Sequence, residues 1–128
     1  MKYLLVLTAV FESATGLALL LTPALLASLL FGVGLDAPIG LIVARIAGAA
    51  LLALGVACWL ARDDGRSRSV LGLIVALLLY NVAAAVVLIH AGIGLKLSGI
   101  ALWPAVAAHV ALAFWCMACL RPTKAPGH

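Results

Sequence analysis

The chain has 128 residues, of which 67% are hydrophobic and 9% charged, with a formal net charge of +4. Soluble domains carry about 25% charged residues, and a globule of this size cannot build a polar skin from so few. The same composition excludes a disordered chain, a coiled coil and a disulfide-stapled secreted module, which leaves an integral membrane protein.

A helix that crosses the hydrocarbon core needs about 20 mostly apolar residues, and the chain offers four such runs in succession. The first spans residues 3–21. Its opening, MKYLLVLTAV, has the charge and apolar stretch of a signal peptide, but no small-x-small site precedes polar sequence, so it reads as an uncleaved first span. Pro23 then divides this run from a further apolar piece. A continuous helix over residues 3–31 would be about 43 Å long against a core of about 30 Å. The expectation is a break at Pro23 and a short helix over 24–31 lying against the outer leaflet, before the loop FGVGLDAP. The second span covers 38–61, the third 70–91 and the fourth 97–120. Pro104 falls inside the fourth and removes the hydrogen bond to the Ile100 carbonyl, which predicts a bend there. None of the runs alternates with period two, so β-barrel strands are excluded. With short connections between them, sequential helices run antiparallel. The predicted fold is a single all-α domain, an integral membrane four-helix bundle of up-down-up-down order.

The basic residues orient it. Lys2, Arg62, Arg66, Arg68, Arg121 and Lys124 fall on one side, and Lys96 alone in a loop on the other. Short loops rich in Lys and Arg stay in the cytoplasm, which predicts an inner-membrane protein with both termini and the 61–69 loop cytoplasmic. Tyr3, Trp59 and Trp115 mark the inner interface and Trp103 the outer. The positive charge reports topology and contact with the lipid bilayer. No aromatic-basic interleaving or DNA-binding motif points to nucleic acid.

Close approach of helices in lipid depends on small residues. Gly40, Ala44 and Gly48 recur every four residues on the second span and form a helix-packing face, directed either within the bundle or toward a second subunit. Ionisable residues inside the bilayer cost about 2.5–3.5 kcal/mol each on insertion scales and are functional candidates by default. Helix rise puts Glu12 about 14 Å from the inner boundary, and Asn81 and His109 about 17 Å. Arg45 lies about 24 Å up, with a side chain long enough to reach down or outward. Each span thus brings one strongly polar residue to the middle of the membrane, with Tyr80 beside Asn81. On one reading Glu12 pairs with Arg45, while Asn81 and His109 hydrogen-bond across helices as structural glue. On the other, these residues line a site in which Glu12 is a proton-titrating carboxylate and His109 has room for a ligand between Ala105 and Ala113.

Cys58, Cys116 and Cys119 gather near the inner ends of their helices, the last two as C-x-x-C. Cytoplasmic topology predicts reduced thiols, and free Cys packs as a small apolar residue. The alternative is a thiol site. His90 lies too far from His109 in depth for two-histidine haem, and His128 is in the tail. No phosphate loop, H-E-x-x-H or nucleophile elbow occurs, so neither a metal site, a cofactor nor a catalytic residue is assigned.

Two resemblances bear on this. The segments LLLTPALLASLLFG and ARIAGAALLALG, in the first half of the chain, resemble the small bacterial four-helix membrane proteins of the broad DoxX-like group. That likeness implies the same fold and, for some members, thiol or quinone redox chemistry. A carboxylate midway along the first of four helices is similar to that of the small multidrug resistance transporters, where one glutamate binds substrate cation and proton in turn. Glu12 is the single match. The strong positive-inside bias departs from the balanced loops of the dual-topology members, and Arg45 would compete for the carboxylate. The leading expectation is a non-enzymatic bacterial membrane protein, self-associating or serving as an accessory subunit of a larger membrane complex. Proton-coupled transport through Glu12 and His109, and membrane thiol or quinone redox chemistry, are the alternatives.

Overall fold

A computed structural model describes residues 1–121; Lys124 and His128, used above for topology and haem, lie outside the described residues. Five helices follow one another: α1 (Lys2–Leu21), α2 (Pro23–Phe31), α3 (Pro38–Ala61), α4 (Arg68–Ile89) and α5 (Leu102–Leu120). The four long ones, α4 extended by a π-helical turn over His90–Gly94, are long and apolar enough to cross a membrane. Their outward side chains are apolar as well, with Leu79 71%, Phe114 65% and Ile46 65% exposed. In water such a surface would be an aggregation liability; in lipid it is matched to its solvent. The fold is that of a multi-pass, all-α membrane protein.

The break after α1 has a local cause. Pro23 has no N–H to continue the α1 ladder, yet its fixed φ suits the first position of a new helix. Thr22 turns the chain at φ −135° and closes α1 by donating both its N–H and its hydroxyl to the Ala18 carbonyl, at 2.8 and 3.1 Å. The short helix α2 ends at Gly32, which adopts φ +73°, a left-handed cap that glycine enters freely.

The fourth spanning helix begins five residues later than the hydropathy pattern predicts. Lys96 turns the chain at φ 58°, and the segment after it spends its N–H groups elsewhere. Ser98, Gly99 and Ala101 donate to the carbonyls of Phe31, Leu30 and Leu29, at 3.2, 3.2 and 2.9 Å. These are carbonyls of the last turn of α2, which have no partner within their own helix. The segment therefore straps α2 across one end of the bundle. Because α5 starts at Leu102, Pro104 sits in its first turn and Ile100 lies outside it. A first-turn N–H has no helical acceptor to lose, so the bend expected at Pro104 does not arise.

The spans pack as two close pairs, α1 with α3 and α4 with α5. Small residues set the first pair. A Cβ on Gly48 would lie 2.7 Å from the Gly16 carbonyl oxygen and 2.8 Å from Leu19 Cβ, and one on Gly16 would lie 2.7 Å from Leu52 N. Gly48 therefore faces α1, whereas Gly40 faces the Leu35 side chain of the preceding loop, with Ala44 half-buried between them. Leu4, Leu5, Ala9, Cys58, Ile74, Leu77, Leu112 and Cys116 form a common core joining the two pairs.

The end of the bundle that carries Met1 and Cys119 is closed by polar contacts. Arg66 donates to the Cys119 carbonyl at 3.0 Å and to Met1 Sδ at 3.8 Å. Lys2 and Arg62 pair with Asp63 at 2.7 and 3.3 Å. The hydrogen bond from Lys2 holds the Asp63 acid below its ordinary range.

Candidate functional site

The buried stripes of the helices carry polar residues to one level. On α1 the inward residues are Leu4, Leu5, Thr8, Ala9, Glu12 and Gly16, a single face at helical spacing. On α4 they include Ile74, Leu77, Asn81 and Ala85, and on α5 Leu102, Val106, His109 and Ala113. Those last two stripes advance by three or four residues at each step, the spacing of a helix face turned to a neighbour. Asn81 and His109 are residues of these faces that happen to be polar.

They meet directly. Asn81 donates its amide nitrogen to the Leu77 carbonyl one turn back, at 2.8 Å, and its oxygen lies 2.8 Å from His109 Nδ1. Turning the amide over would set its oxygen against the Leu77 carbonyl, two acceptors face to face. The orientation is thereby fixed, and Asn81 Oδ1 can only accept. His109 Nδ1 consequently carries a proton, and in the neutral imidazole Nε2 keeps its lone pair. The imidazole is gripped edge-on by two rings, Phe11 at a centroid distance of 6.1 Å and Tyr80 at 5.6 Å, each inclined by 83°.

Tyr80, next to Asn81 in the chain, donates its hydroxyl to Glu12 Oε2 at 3.3 Å. Glu12 is 0% exposed and its Oε1 has no hydrogen-bond partner; neither has the enclosed hydroxyl of Thr8, one turn earlier on the same face. Of the residues singled out from sequence, Glu12, Tyr80, Asn81 and His109 are thus brought together at mid-depth.

Arg45 is not part of this group. The Glu12–Arg45 pair expected from their depths is not formed: Arg45 is exposed, and its Nε donates to the Leu20 carbonyl at 3.3 Å. Leu20 lies in the last turn of α1, where the break leaves carbonyls unpaired and the helix dipole favours a cation. Arg45 thereby caps α1 from the neighbouring helix. Glu12 is left without a cationic partner among the described residues.

Above the group, on the side of α2, lies a partly open cavity of about 490 Å³. Leu26 and Leu30 of α2 roof it, while Ala84, Ala101, Ala105 and Ala108 leave room along α4 and α5. Its polar lining residues are Thr15, Tyr80 and His109. The volume falls in the range of small-molecule sites, which are mostly apolar with a few placed polar groups. Sequence reading missed Phe11 and Thr15. Phe11 lies three residues after Thr8 and Thr15 three after Glu12, a spacing that gave no signal of its own.

Cys58 and Cys116 are both 0% exposed within the apolar core, and Cys119 is half-buried. All three are free thiols, and no group of three or more His, Cys, Asp or Glu residues among the described residues is placed to hold a metal ion. The chain matches no family model, no curated protein and no solved structure.

Proposed function

We propose that this chain is a non-enzymatic protein of the bacterial inner membrane that holds a small lipophilic molecule, drawn from the bilayer, in the cavity between α2 and the polar group at mid-depth. The observation that carries this reading is the cavity itself. Protein interiors are packed to crystal-like density, and larger side chains on four alanine positions would close this space. It is instead kept open, walled by apolar groups and floored by a rigidly held imidazole. Both termini face the cytoplasm on the strength of the basic bias of the loops. With so little of the chain outside the spans, it serves as an accessory subunit or a self-associating binding protein.

The test is uptake of an environment-sensitive apolar fluorophore by the purified protein in detergent. Saturable binding near one molecule per chain is expected, with at least a tenfold loss in Ala105→Phe, which fills the cavity. Absence of saturable binding to the folded protein, or undiminished binding to the filled variant, overturns the proposal.

Glu12 favours a second reading, proton-coupled movement of that molecule. A sealed carboxyl with one unpartnered oxygen and no cation beside it is suited to taking up and releasing a proton. In vesicles with an imposed pH gradient, Glu12→Gln is expected to abolish proton flux while leaving the helical circular dichroism signal intact. Equal flux in both forms, or none in either, sinks this reading.

A further inference from the structure

The identity of the floor atoms narrows what the cavity accepts; this step rests on the binding reading above. His109 lines the cavity, and its Nδ1–H is committed to Asn81. Among the described residues, the polar side-chain atoms that are both wholly enclosed and unpartnered are Thr8 Oγ1 and Glu12 Oε1. His109 Nε2 has no hydrogen-bond partner among the described residues. It is the one acceptor that this ring has left to offer the cavity. Tyr80 has spent its hydroxyl hydrogen on Glu12 and offers a lone pair as well. Both of these groups accept, and the hydroxyl of Thr15 is a further polar group of the lining.

Charge is excluded by the rest of the lining. Among the described residues no Lys, Arg, Asp or Glu side chain lines the cavity, and the Glu12 carboxyl is sealed behind Tyr80. An ion entering would lose its hydration without a countercharge. The ring clamp of Phe11 and Tyr80 keeps the acceptor in place before anything binds, which lowers the ordering cost of binding.

We infer that the cavity binds an uncharged lipophile bearing a hydroxyl group, a phenol or alcohol, whose O–H is donated to His109 Nε2 while its apolar body lies under Leu26 and Leu30. A molecule of the same shape without the hydrogen leaves Nε2 unpaired and binds less tightly.

The experiment uses para-hexylphenol and its methyl ether as competitors of the bound fluorophore. For the wild-type protein the phenol is expected to displace it at about tenfold lower concentration than the ether, the discrimination that one hydrogen bond provides. The ratio should fall to near one in His109→Phe, a comparison in which differences in micelle partitioning cancel. In the unmutated protein the ¹⁵N resonance of His109 Nε2 should shift with the phenol and stay still with the ether, which tests the contact without relying on a variant. Equal displacement by both compounds, or an unmoved Nε2 resonance at saturation, overturns the hydroxyl assignment and leaves the cavity reading intact. Failure of the phenol to displace a saturably bound fluorophore overturns this inference alone, whereas absence of saturable fluorophore binding overturns it together with the binding reading.

Discussion

Gly48→Val is expected to cost about 3 kcal/mol or more, enough to remove most of the folded protein from detergent solution. The added Cβ alone would stand 2.7 Å from the Gly16 carbonyl oxygen and 2.8 Å from Leu19 Cβ. One of these is backbone, held by its own helix, and cannot turn aside as a flexible side chain would. Overpacking in a well-filled interior costs about 1–3 kcal/mol and sometimes more, and here the nearest atom is a main-chain oxygen. Denaturant titration in micelles, followed by helical circular dichroism, gives the measurement. Gly72→Ala is the matched comparison: a Cβ there meets nothing within 4 Å. It should leave stability unchanged or raise it by up to about 1 kcal/mol through helix propensity. Comparable losses in the two variants would mean that the Gly16–Gly48 contact does not hold the pair together.

The second large effect belongs to Gly99→Val. A Cβ at this position would overlap the Leu29 and Leu30 carbonyl groups that the strap approaches. The main-chain bonds from Ser98, Gly99 and Ala101 to α2 should then be lost together. With them goes the satisfaction of three last-turn carbonyls, and each unpaired group costs about 1–3 kcal/mol when buried. The rest of the bundle does not depend on this contact, so the loss should be local. Amide exchange at Ser98 and Ala101 is expected to accelerate about a hundredfold, as local opening replaces global opening, while exchange at Ile74 and Leu77 stays unchanged. Binding of an apolar fluorophore should weaken in parallel, because Leu26 and Leu30 roof the cavity. Unchanged exchange at Ser98 would show that the strap tolerates a side chain there.

The four spans were legible because length and hydropathy are properties of a segment, and each helix satisfies its own backbone. The break at Thr22 was legible for a similar reason, since the missing N–H of Pro23 acts locally. The late start of α5 was not. Leu97 and Ile100 look helical by hydropathy, and the carbonyls that draw their neighbours away from the helix lie some 70 residues earlier in the chain. Depth, too, was readable from helix rise, and it brought Glu12, Tyr80, Asn81 and His109 to one level. Depth says nothing of azimuth. Arg45 was matched to Glu12 by height and reach, whereas its guanidinium turned to the Leu20 carbonyl that the break had exposed. The cavity was the least legible feature, for it is a volume that residues on five helices decline to fill. Alanines at 101, 105 and 108 are its trace in the sequence, and alanine on a membrane helix equally signals close packing.

The two helix pairs are fastened across the seam at three heights: Arg66 at one end, the Tyr80–Glu12 bond in the middle and the α2 strap at the other. A pulling force applied to a terminus therefore meets these fasteners one after another. Drawn out of a bilayer by Met1, the chain would first shed the Arg66 contact, then the hydroxyl bond, and only then the strap. Extraction should follow the pairing, with α1, α2 and α3 leaving before α4 and α5 begin to move.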